Sequence, residues 1–154
     1  PSVFAELPRL FERAGNDARG SITAFYTVLA EDEDGSDPVA EETRSILDGH
    51  IVLSRQLGQA GHYPAIDVLA SASRVFNRVT GLAQQDAALR VRSLMAKHEE
   101  IKFLLQVGEY AAGSDPLADD AIAAQPALQA LLRQRPHEGT AFQETLAALQ
   151  QFLH

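Results

Sequence analysis

The sequence is 154 residues long and 45% hydrophobic, a single domain's worth of chain with enough apolar content for a core. It contains no cysteine, which excludes disulfides and thiolate chemistry and fits a reducing cytoplasm, and no apolar run approaches the ~20 residues that span a bilayer. The formal net charge is −8, and seven acids between residues 31 and 42 (Glu31, Asp32, Glu33, Asp34, Asp37, Glu41 and Glu42) account for all but one of the excess negative charges. A nearly neutral body with its acidity gathered in one loop excludes a general nucleic-acid surface, which needs clustered Lys and Arg.

In chain order, Val3, Phe4, Leu7, Leu10, Phe11 and Ala14 recur at helical spacing, so residues 2–14 read as a helix that Pro8 kinks or splits. Gly15 and Gly20 bracket a polar loop. Ile22 to Leu29 is apolar and β-branched on both faces, the pattern of a central parallel strand. After the acidic loop, Asp37 is placed to cap a helix with Pro38 at its first position, running to about Leu47. Asp48-Gly49 then turns the chain into a strand from His50 to Leu53. A short helix covers Arg55 to Ala60 and stops at Gly61, and a short apolar strand covers Ala65 to Leu69. Strand, helix, strand, helix, strand is the order of an α/β sheet.

Beyond Arg74 the pattern is helical. Ala87, Val91, Leu94, Met95, His98, Ile101 and Leu105 fall on one face of a long helix, with His98 reading as a core or interface residue. Asp115-Pro116 opens another helix, which Pro126 is expected to restart so that Leu128, Leu131 and Leu132 form a separate set. Thr140 and Gln143 make a capping-box pattern ahead of Phe142, Leu146, Leu149 and Leu153. The expected fold class is therefore α/β followed by all-α, with a boundary near Phe76 to Thr80.

The densest chemical signal is the run Gly61-His62-Tyr63-Pro64-Ala65-Ile66-Asp67-Val68-Leu69-Ala70-Ser71-Ala72-Ser73-Arg74: a tight turn, an aromatic, a buried strand, then an arginine after small residues. A Tyr before such a strand offers a flat face for a base, and an Arg past its end offers a fixed cation for phosphate. Each also has a plain alternative, a core aromatic before proline and a surface or salt-bridged arginine. The histidines (His50, His62, His98, His137 and His154) form no H-E-x-x-H and no metal-ligand spacing, and no G-x-S-x-G elbow is present.

This run closely resembles the hexameric ATPases of bacterial type III protein secretion, which include the flagellar export ATPase and are cousins of the catalytic subunit of rotary ATP synthase. Three further blocks agree: Pro1-Ser2-Val3-Phe4-Ala5-Glu6-Leu7-Pro8-Arg9-Leu10, Gly20-Ser21-Ile22-Thr23-Ala24-Phe25-Tyr26-Thr27-Val28-Leu29 and Ile46-Leu47-Asp48-Gly49-His50-Ile51-Val52-Leu53-Ser54-Arg55. The likeness continues more weakly through Gly108-Glu109-Tyr110 and Gly113-Ser114-Asp115-Pro116. It implies the rear part of a RecA-like parallel-sheet ATPase core over residues 1–77 and a helical C-terminal domain, a bundle, over 78–154.

The resemblance also implies roles. Tyr63 stands where the family stacks adenine, Tyr110 is the candidate for a second wall of that pocket, and Arg74 stands at the place of an arginine finger that reaches the phosphates bound by a neighbouring subunit. The loop carrying Glu31, Asp32, Glu33 and Asp34 would face the central pore, where a ring of acids attracts a basic stalk; its alternative is a solvated loop. The implied partners are a homohexamer, a central coiled-coil stalk protein, export chaperone–effector complexes and the export apparatus at the cytoplasmic face of the inner membrane. The implied cofactor is ATP with magnesium.

One departure is large. The family's phosphate loop, G-x-x-x-x-G-K-S/T, is not in this sequence, whose two lysines, Lys97 and Lys102, do not follow a glycine. The expectation is a C-terminal portion of a longer enzyme, with the phosphate loop, the magnesium ligands and the water-polarising carboxylate upstream. Such a chain by itself holds no metal site, no tightly bound nucleotide and no ATPase activity. The alternatives are a flagellar export or rotary synthase-type subunit, and a non-enzymatic docking module lacking the phosphate-loop half.

Overall fold

The computed structural model describes residues 2–30 and 37–153. The chain divides into two compact units, Pro1–His50 and Ile51–His154.

In the first unit, α1 (Ser2–Phe11) passes through Pro8 without breaking. Pro8 is the seventh residue of α1, past the first-turn amides that have no partner in any case, so the helix forgoes one bond there, the one an amide at this position would make to the Phe4 carbonyl. The expected loop between Gly15 and Gly20 is a small hairpin, β1 (Gly15–Asn16) antiparallel to β2 (Ser21–Ile22). Its turn is an aspartate device: the Asp17 carboxylate accepts from the amides of Arg19 at 2.7 Å and Gly20 at 2.9 Å. The strand expected over Ile22–Leu29 ends at Ile22, and Thr23–Ala30 has no regular structure. A strand apolar on both faces needs a neighbour for its amides and a layer on each side. Among the described residues only Gly15–Asn16 pairs with this stretch. What fixes it locally is Tyr26, whose ring meets Phe11 edge-on at 4.8 Å and whose hydroxyl donates to the Leu10 carbonyl. Helix α2 (Pro38–Ile46) starts as its sequence dictates, with Asp37 accepting from the amides of Val39 at 2.8 Å and Ala40 at 3.1 Å. It packs on α1, and Phe11 of α1 and Ala40 and Thr43 of α2 are buried.

The second unit opens inside β3 (Gly49–Leu53), which forms a two-stranded sheet with β4 (Ile66–Ser73). Between them lies α3 (Arg55–Gln59), capped by Ser54. A single turn, α4 (Phe76–Val79), leads into the long α5 (Leu82–Val107). Helix α5 ends at Gly108, whose φ of 73° is the left-handed cap that favours glycine. Helix α6 (Pro116–Leu132) is capped by Asp115 and runs unbroken through Pro126, contrary to the expected restart. Ala118, Ala121 and Leu128, on both sides of the proline, are buried, so packing on α5 holds the helix together against a cost of about 3 kcal/mol. Helix α7 (Phe142–Gln150) begins one residue later than the expected capping box. Ala141 is the N-cap, its methyl cannot accept a bond, and only the reciprocal half is made, with Glu144 accepting from the Ala141 amide at 3.1 Å. Val91 and Leu94 from α5 meet Ala121 and Leu128 from α6, with Leu149 of α7 and Phe152 closing over them. The architecture is thus α/β followed by all-α.

Candidate functional site

The Tyr63 turn is built from its backbone. Gly61 takes φ 70°, which lets the chain reverse after α3 and send the His62 amide back to the Leu57 carbonyl at 2.9 Å. His62 is buried, and its Nδ1 accepts from Arg133 Nε at 3.4 Å. The peptide Tyr63–Pro64 is cis. The Tyr63 carbonyl accepts from the amide of Gln134 at 2.9 Å, and on the far side of the proline the Ala65 carbonyl accepts from the Ser54 amide at 2.8 Å. The turn is therefore held from both sides while its ring stays 58% exposed. A rigidly mounted, exposed aromatic fits the stacking of a flat base.

At the other end of the motif, β4 outruns its expected span by four residues and ends at Ser73, directly before Arg74, which is exposed. The strand is not regular. The Asp67 carboxylate accepts from the Ala70 amide at 2.9 Å, and the Ser71 hydroxyl donates to the Asp67 carbonyl while accepting from the Val52 amide at 3.0 Å. Three carbonyls of this stretch, those of Val68, Leu69 and Ser71, converge on the guanidinium of Arg92 from α5.

Tyr110 lies elsewhere in the unit's architecture, in the loop from α5 to α6. Its hydroxyl donates to Asp119 Oδ1 at 2.9 Å, and the other carboxylate oxygen accepts from the Gly113 amide at 2.9 Å. Burial, and then the Asp119 bond, push the Tyr110 phenol above its ordinary value. Among the described residues no hydrogen bond or ring contact joins Tyr110 to Tyr63. Beside it, Asp115 caps α6 and pairs with Lys97 at 3.3 Å. The Ala118 amide and Lys97 hold the Asp115 carboxyl below its usual range, and Glu100 together with Asp115 raises Lys97.

Glu31, Asp32, Glu33 and Asp34 lie outside the described residues. Among the described residues no group of three His, Asp or Glu side chains could hold a metal ion, and no helix is long and apolar enough to cross a membrane. Sequence reasoning missed Arg92 and Arg133. Neither carried a distinguishing signal: Arg92 stands beside buried Val91 at the margin of the apolar stripe, where long cationic side chains ordinarily lie.

The nucleotide-binding domain model of the ATP synthase alpha/beta family matches residues 1–73, and the type III secretion EscN ATPase C-terminal domain model matches residues 80–151. The type 3 secretion system ATPase of Xanthomonas euvesicatoria is 56% identical over 149 residues, which cover 97% of this chain and 34% of that protein. The chain thus spans about a third of the length of the curated relatives it matches. Among solved structures, the assembled ATPase EscN of enteropathogenic E. coli superposes with a TM-score of 0.96 at 43% identity, covering 100% of this chain and 37% of that one. EscN in complex with its central stalk EscO gives 0.89 at 42% identity, covering 100% and 36%.

Proposed function

The chain belongs to the family of type III secretion ATPases, and from that premise we propose that it is part of a homohexameric ATPase that energises protein export by releasing chaperones and unfolding substrates. In this reading Tyr63 stacks on adenine in its own subunit's pocket and Arg74 reaches the phosphates held by the next subunit. The supporting observation is the placement of the two side chains. Both are exposed, each on a segment fixed by backbone hydrogen bonds, and they leave opposite ends of one eight-residue strand. In a ring of identical chains every interface then receives a ring face from one subunit and a guanidinium from another.

The chemistry of each group fits its part. A guanidinium is charged at every working pH and presents a planar fork of donors, which suits the charge that spreads over the transferred phosphoryl group. ATP with magnesium supplies that group and its metal, and the G-K-S/T loop that would cradle them is not in this sequence. This chain's own part is to hold the base and place the finger, and alone it is inactive. Tyr110 is the less favoured second wall, since its hydroxyl is committed to Asp119 and only its ring could serve. Residues 1–77 belong in this reading to the ATPase core and 78–154 to the helical domain, a division that falls between the two family models. Glu31, Asp32, Glu33 and Asp34 form in this reading a pore-facing acidic ring for a basic stalk, and a central stalk is what the related EscN is seen in complex with. The assembly works in the cytoplasm, against the export apparatus at the inner membrane.

Steady-state ATP turnover by the full-length hexamer tests the reading. Arg74→Ala should lower kcat by about 10³–10⁵ with nucleotide affinity nearly unchanged, and Arg74→Lys should recover little. Full turnover by Arg74→Ala would refute it.

A further inference from the structure

We propose that Arg92 is the positioning residue for Arg74: a bracket that fixes the end of β4 to the helical domain and so sets where the finger points. The inference rests on the reading of Arg74 as a finger.

Strand β4 is irregular. In an extended strand, residues four apart are separated by about 13 Å. The Ser71 hydroxyl nevertheless bonds to the carbonyl of Asp67, and the Asp67 side chain takes the amide of Ala70. The chain is therefore bent back on itself between Asp67 and Ser71. Successive carbonyls of a flat strand point to opposite sides, yet those of Val68 and Leu69 meet one guanidinium, Nη1 to the first and Nη2 to the second at 3.0 Å. A further bond joins Nη1 to the Ser71 carbonyl at 3.3 Å. A bend of this kind takes carbonyls out of the sheet ladder, and a partly buried carbonyl without a donor is costly. Arg92 supplies the donors. Its five N–H groups in a rigid fork are the side chain best suited to gather several acceptors at one point.

The bracket is anchored at its other end. Val91, next to Arg92, and Leu94, two residues on, are both buried in the α5–α6 core. The position of the bend is thus tied to the most tightly packed part of the unit, and Arg74 follows the last bracketed carbonyl, Ser71, by three residues. A change at Arg92 would leave Arg74 in place chemically but displaced in space, and a misplacement near 1 Å is worth about 10²-fold in rate.

The test uses full-length hexamer carrying Arg92→Met or Arg92→Lys, each alone and combined with Arg74→Ala, with kcat and KM for ATP measured on protein that assembles and retains its thermal midpoint. Arg92→Met should lower kcat by about 10²-fold with KM changed less than about twofold, and Arg92→Lys, which keeps a charge and three donors, should fall between it and the wild type. Combined with Arg74→Ala, neither should slow the enzyme further, because a bracket has no effect once its finger is gone. Should Arg92→Met not assemble, the Arg92→Lys series carries the same comparison. Losses that multiply in the double variants, or a rise in KM equal to the fall in kcat/KM, would overturn the proposal while leaving the finger reading intact. Full turnover by Arg74→Ala alone would instead remove the reading on which it rests.

Discussion

Two sets of apolar residues meet different fates in the two units. Val91, Leu94, Ala121 and Leu128 are each at most 4% exposed, whereas Ile22, Phe25 and Leu29 in the first unit are 64%, 90% and 91% exposed. The sequence marks both as interior. The difference lies in what each needs. A helix satisfies its own backbone and asks only for one covered face, which α5, α6 and α7 provide for one another. A strand satisfies nothing by itself; it needs neighbours on its edges and layers on its faces. Thr23–Ala30 has the composition of a central strand without, among the described residues, the partners of one.

The strongest way to sharpen this contrast is a pair of truncations in the 154-residue chain, followed by denaturant unfolding. Leu128→Ala should cost about 2–5 kcal/mol, because Leu128 is 1% exposed and its loss leaves a cavity in the α5–α6 core. Phe25→Ala should stay within about 0.5 kcal/mol, as for other exposed positions. Equal losses at the two sites would mean that the 23–30 stretch is packed as tightly as the bundle, and the contrast would fail.

A smaller effect is expected at the site. Tyr63→Ala in the full-length enzyme should weaken nucleotide binding by about 1–3 kcal/mol, the worth of a base stacked on an aromatic, with the unfolding midpoint unmoved since the turn is held by backbone bonds. Fluorescent-nucleotide titration reads it; unchanged affinity would make the exposed ring a surface feature only.

The smallest is a pH effect confined to the second unit. The Asp115 carboxyl is held below its ordinary 3.8, chiefly by the Ala118 amide and Lys97. A carboxyl so depressed contributes stability that is present above its unfolded value and lost as pH falls through the folded one. Thermal midpoints measured from pH 6 downward should therefore drop on the acid side, and Asp115→Asn should flatten that limb while keeping an acceptor for the α6 cap. An identical acid limb in the variant would assign the loss to other carboxylates.

Legibility followed the same division. The helix starts at Asp37-Pro38 and Asp115-Pro116, the stripe from Ala87 to Ile101 and the stop at Gly61 could be read directly, because capping and helical spacing are local properties. The misses were contests between local and tertiary terms. Pro126 lost to packing on α5, the cap of α7 shifted from Thr140 to Ala141, and beyond Ile22 the 22–29 strand had, among the described residues, no ladder to join. Tyr63 and Arg74 were visible as residue types in a motif, whereas the bend that precedes Arg74 was not, and the donors that meet its Val68 and Leu69 carbonyls come from Arg92, more than twenty residues away along the chain.

The central claim, that one chain serves two sites from the two ends of β4, is most directly tested by mixing subunits. Hexamers would be assembled from full-length Arg74→Ala subunits and subunits lacking the phosphate-loop lysine, and ATP turnover measured against each variant alone. Each pure variant should keep at most a small residual turnover, and the mixture should regain activity well above either, because an interface with an intact phosphate loop on one side and Arg74 on the other is complete. Assembled mixtures that remain inactive would show that Arg74 acts within its own subunit or not at all.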